Sequence, residues 1–119
     1  MGVRAVEVIL PPSTNHLFAT VRGRRVKSRE YRDWQRATAF AFKVLEPAEV
    51  YPVGVTLTVL GKVYAQRDLD NFMKPVLDML VTCGIVTNDT IKYVTRVTVQ
   101  RGDAAGDGRV RIELTGGEA

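Results

Sequence analysis

A chain of 119 residues, 45% apolar and 25% charged, has the size and composition of one globular domain, and no run of 18 or more apolar residues could span a membrane. The start MGVRAVEVIL lacks a signal peptide's long apolar stretch and small-residue cleavage site, so a cytoplasmic protein is expected. The single cysteine, Cys83, excludes an intrachain disulfide, and with His16 as the single histidine a Cys/His zinc site within one chain is excluded too; the net charge is +4, and its distribution matters more than the total.

Residues 3–10 read as a strand, with Val6, Val8 and Leu10 on one face at period two. PPSTN ends it, because consecutive prolines cannot donate to a ladder. FATVRGRRVKS reads as a short hairpin turning at Arg22-Gly23. Ser28 is the expected N-cap of a helix reaching about Leu45, with Tyr31, Trp34, Thr38, Ala41 and Leu45 on one stripe and Pro47 as the stop. Tyr31 and Trp34 could stack on bases, but an aromatic stripe at helical spacing more often belongs to a core.

Across this region the basic balance is concentrated. Arg22, Arg24, Arg25, Lys27, Arg29, Arg32 and Arg36 face only Glu30 and Asp33 within residues 22–36, which gives that segment +5. Such a run is either a solvated helix face or a footprint for phosphates, since nucleic-acid backbones are held chiefly by clustered Arg and Lys.

Residues 53–62 are the clearest strand, Val53, Val55, Leu57 and Val59 alternating with small and polar residues. A second helix over about 71–83 places Phe72, Val76, Leu80 and Cys83 on one face, with Gly84 as its C′ glycine and Pro75 distorting its first turn. Residues 92–101 form a strand with Tyr93, Thr95, Val97 and Val99 on one face. DAAGDG then turns the chain into a last strand carrying Val110, Ile112 and Leu114, and the tail 116–119 is expected to be mobile. The order predicts one α/β domain of α+β type, residues 1–119: a mixed β-sheet with about two main helices packed on it.

The segment RDLDNFMK concentrates carboxylates within this basic chain. If Asp68 and Asp70 stay extended after the strand, they point to one side with Cα atoms ~7 Å apart. Two carboxylates facing one way call for a cation between them, and all-oxygen ligation suits Mg²⁺, or Mn²⁺, better than zinc. An EF-hand loop is excluded, because Met73 and Met79 occupy its glycine and glutamate positions. Asp89, between the second helix and the next strand, is a third candidate if the chain returns to the same sheet end; Asp78 is another. Lys74 is either an ion-pair partner of Asp70 or Asp78, or a cation aimed at a phosphate oxygen. The set describes metal-dependent phosphodiester hydrolysis on nucleic acid; carboxylates serving only as caps and turns, on a non-catalytic binding module, is the competing reading.

PPSTN, YRDW and above all RDLDNFMKPVLDML followed by GIVTND resemble the RusA family of Holliday-junction resolvases, over residues 8 to about 115. The resemblance implies a homodimeric, Mg²⁺-dependent endodeoxyribonuclease of bacterial or prophage origin that nicks four-way junctions symmetrically in recombination and repair. It implies Asp68, Asp70 and Asp89 as catalytic metal ligands and Lys74 as the essential lysine, with Asn71 in the same motif. The family often has two adjacent acids where this chain has Asn88-Asp89, and Asn88 could still ligate through its carbonyl. Arg22, Arg24, Arg25, Lys27, Arg67 and Asn71 are the expected DNA contacts. A two-fold symmetric junction that needs two matched cuts also fits a two-fold dimer.

Overall fold

Apolar residues at every second position of β4 (Val53–Leu60) put Val53, Val55, Leu57 and Val59 on one face, and all four are buried. The computed structural model describes residues 2–63 and 67–117. Around β4 it builds a four-stranded sheet in the order β1-β6-β4-β5, with β1 at Ala5–Ile9, β5 at Val94–Arg101 and β6 at Arg109–Thr115. β6 is antiparallel to β1 and β4, whereas β4 and β5 are parallel. A parallel pair requires a crossover, supplied here by α2 (Met73–Thr82). The architecture is the expected α+β domain: a mixed sheet with two helices against one face.

The hairpin stands apart as a two-stranded sheet of β2 (Phe18–Val21) and β3 (Arg24–Lys27). Its loop is the expected Arg22-Gly23, and φ is positive at both residues, 53° and 76°. That is the backbone of a type I′ turn, whose twist suits two antiparallel strands.

α1 (Arg29–Val44) starts at Ser28, whose Oγ accepts the Tyr31 N–H at 3.1 Å. Tyr31, Trp34, Thr38 and Leu45 of the expected stripe are buried, and Phe42 joins them. Trp34 Nε1 donates to the Ile9 carbonyl at 2.9 Å, so both aromatics are used by the core instead of being open to bases. In α2 the buried residues are Pro75, Val76, Met79 and Leu80, and Cys83 is half-buried.

Three expectations change. Thr95 does not share the core face: the register slips between Val53 and Gly54, so Val94 is buried and Thr95 is exposed at a bulge. The second helix does not begin as α-helix at 71, because Leu69–Phe72 is a 3-10 turn that hands over to α2 at Met73. The start of the tail is tied down, the Gly117 carbonyl accepting the N–H groups of Glu49 and Val50; residues 118–119 lie outside the described residues.

Candidate active site

Asp68 is extended (φ −78°, ψ 149°) and caps the 3-10 turn without a hydrogen bond from its side chain. Asp70 is already inside that turn. The extended geometry assumed for both residues therefore ends at Asp68. Both residues are exposed, and neither carboxylate has a hydrogen bond or ion pair among the described residues. Asn71, half-buried, donates its backbone N–H to the Asp68 carbonyl at 3.1 Å and closes the turn.

Lys74 pairs within its own helix. Its Nζ lies 3.3 Å from Asp78 Oδ1, one helical turn on, with over half of its side chain exposed. The other Asp78 oxygen accepts the Tyr31 hydroxyl at 2.8 Å. Lys74, Asp78 and Tyr31 thus form a chain linking α2 to α1 beside the 3-10 turn. Despite Pro75, α2 is helical from Met73 onward and brings Lys74 and Asp78, positions i and i+4, onto one face.

Burial, and then the hydrogen bond to Asp78 and its negative charge, raise the Tyr31 phenol well above its ordinary value. A phenol raised on folding stays neutral where the unfolded chain ionises, near pH ~10. Its contribution is full below that pH and is lost as the pH rises beyond it. Tyr31→Phe should therefore destabilise the protein at pH 7 by roughly 1–3 kcal/mol. The gap to wild type should narrow above pH ~10, read by denaturant unfolding at each pH.

Asp89 lies in the segment that joins α2 to β5. The connection leaves the C-terminal end of β4 and re-enters at the N-terminal end of β5. The segment carrying Asp89 is fixed beside the chain that enters β4: Ala48 N–H donates to the Ile85 carbonyl at 2.9 Å and Thr87 N–H to the Tyr51 hydroxyl at 2.8 Å. Among the described residues, no group of three His, Cys, Asp or Glu is placed to hold a metal. Asn88 Oδ1 accepts the N–H groups of Asp89 (2.7 Å) and Thr90 (3.3 Å), so the carbonyl that could have ligated is engaged in shaping the turn.

The expected DNA contacts divide into two sorts. Arg22, Arg24, Arg25 and Lys27 are exposed along the hairpin, with Arg25 over the Phe18 ring at 4.0 Å and Lys27 reaching Gln35 Oε1 at 3.4 Å. Arg67 is different: its guanidinium lies 4.2 Å over the Phe72 ring, and Nε and Nη2 are sealed from solvent with no hydrogen-bond partner among the described residues. Desolvation lowers its pKa. Sequence reasoning missed Tyr31 as the anchor of Asp78, a contact across 47 positions for which no local pattern exists.

The donor chemistry of the 68–70 turn fits a hard divalent cation. Mg²⁺ keeps several waters and takes one or two carboxylates besides substrate phosphates, and two exposed carboxylates without protein partners are of that kind. No helix among the described residues is long and apolar enough to cross a membrane. Fold and site together define a small α+β domain that offers unpaired carboxylates and a lysine next to an arginine-rich hairpin. The family model described as Endodeoxyribonuclease RusA matches residues 9–115, and the chain belongs to the RusA family. A search of curated proteins returned no match.

Proposed function

We propose that this chain is a structure-selective endodeoxyribonuclease that resolves four-way DNA junctions by metal-dependent phosphodiester hydrolysis, working in the cytoplasm as a homodimer. The observation that carries the reading is the pair of unspent carboxylates, Asp68 and Asp70, one turn before Lys74 in a chain of the RusA family. Four other carboxylates, Asp33, Asp78, Glu7 and Glu113, pair with Arg or Lys.

Asp68 and Asp70 would hold Mg²⁺ or Mn²⁺, and Asp89 enters as the third carboxylate on the family resemblance alone. The bound metal would neutralise charge on the scissile phosphate and make water a better nucleophile. Lys74, held near the turn by Asp78, would donate from Nζ to a non-bridging phosphate oxygen as negative charge builds there. The hairpin arginines would hold the backbone as point charges without reading bases. Two copies related by a two-fold axis would make the two matched cuts.

A non-catalytic binding module is the second reading, favoured by the lack of a three-carboxylate group among the described residues. A comparison of substrates tests the first. With Mg²⁺, a synthetic four-way junction should be cut into nicked duplex products while a linear duplex with the same arm sequences stays intact. Equal cutting of both would remove the structure selectivity.

A further inference from the structure

A groove of about 330 Å³ runs between α1 and α2, distinct from the 68–70 turn. Lys27, Arg32, Arg36 and Lys43 line it, with Met79 and Cys83 among its floor residues, and no acid lines it among the described residues. Arg32, Arg36, Ala39 and Lys43 follow one another at spacings of four, three and four, a straight row on one face of α1. The row covers roughly 16 Å, the rise of about five nucleotides of one strand in a duplex.

A solvated helix face would have its cations interleaved with carboxylates. Here Lys27, Arg32 and Lys43 have no carboxylate partner among the described residues, and Arg36 has only an exposed pair with Asp33 at 3.6 Å. A site lined by four cations, with no acid among its described lining residues, attracts an anionic partner. At one end the groove meets the chain Lys27, Gln35, Tyr31, Asp78, Lys74, since Lys27 contacts both Gln35 and the Tyr31 ring and Tyr31 binds Asp78.

We infer that this groove holds the phosphate backbone of the DNA arm leading to the scissile phosphate, with Arg32, Arg36 and Lys43 as its successive contacts. The inference rests on the nucleic-acid reading above and adds to it a surface outside the hairpin. Charge complementarity selects the occupant, because a polyanion matches a groove lined by Lys27, Arg32, Arg36 and Lys43 with no acid among its described lining residues.

The triple variant R32Q/R36Q/K43Q and the control Arg96→Gln, on exposed β5, are to be compared with wild type by titrating a labelled four-way junction at several salt concentrations. Circular dichroism checks the fold. The triple variant should bind at least about tenfold more weakly and flatten the plot of log K against log salt by about three, one for each phosphate no longer neutralised. Cleavage at saturating junction should persist. Arg96→Gln should keep both the affinity and the slope. If the triple variant fails to fold, R32Q and K43Q singly should each flatten the slope by about one. Unchanged affinity and slope in folded variants would overturn the inference, as would a wild-type protein that binds no DNA. Wild-type binding that depends on these residues without any cleavage would leave the groove assignment standing and remove the nuclease reading instead.

Discussion

Asp70→Asn is expected to bind a four-way junction as tightly as wild type and to cut it more slowly by at least about 10³-fold, some 4 kcal/mol of transition-state stabilisation. The substitution keeps the size and shape of the side chain. Asp70 is exposed and its carboxylate has no partner among the described residues, so the fold should change by no more than about 0.5 kcal/mol. Its backbone carbonyl, which accepts the Met73 N–H, is unaffected. What disappears is one negative oxygen donor, which a hard cation requires and an amide replaces poorly. Losing a negative charge beside phosphates cannot weaken binding electrostatically, so gel retardation should be equal or stronger. Asp89→Asn then decides the third carboxylate. An equal loss of cleavage assigns it to the same chemistry, whereas a wild-type rate restricts that chemistry to the 68–70 turn.

Lys74→Ala separates the two roles open to this lysine. As an ion-pair partner of Asp78 it contributes little: the pair is an exposed i,i+4 contact on α2, worth about 0.3–0.5 kcal/mol. Asp78 would keep its hydrogen bond from Tyr31. The melting behaviour should therefore stay close to wild type. As a donor to the charge that develops on the phosphate, it should cost about 10²–10³-fold in cleavage at saturating junction. The contrast between a small change in stability and a large change in rate is the signature of the second role. Loss of stability with the rate unchanged would return Lys74 to the surface of α2.

Much of the fold was legible from local pattern because local physics decides it. β4 and β6 alternate strictly, since one face of each packs on the helices and the other does not. The Arg22-Gly23 turn and the Ser28 cap are set by one or two residues each. The bulge at Thr95 was not legible, because it depends on how β5 meets β4, a long-range match. The site was legible as composition and not as geometry. RDLDN marks where the carboxylates are; the 3-10 turn that starts after Asp68 and contains Asp70 depends on Phe72 being drawn into the core and on Asn71 closing back to Asp68. Whether Asp68, Asp70 and Asp89 group to hold a metal is a matter of spacing in three dimensions, which no stretch of sequence states, and among the described residues no such group of three is found. The same holds for the basic row on α1: its spacing could be read, but not the groove that α2 makes of it.

The most direct measurement is incubation of the purified protein with a synthetic four-way junction carrying a label on each strand in turn, with Mg²⁺ and with EDTA. The account predicts retardation in both conditions, and nicks only with Mg²⁺, paired at symmetric positions on two opposing strands. Retardation without nicks in Mg²⁺ or Mn²⁺ would contradict it in favour of a binding module, and the absence of both would remove nucleic acid from the account.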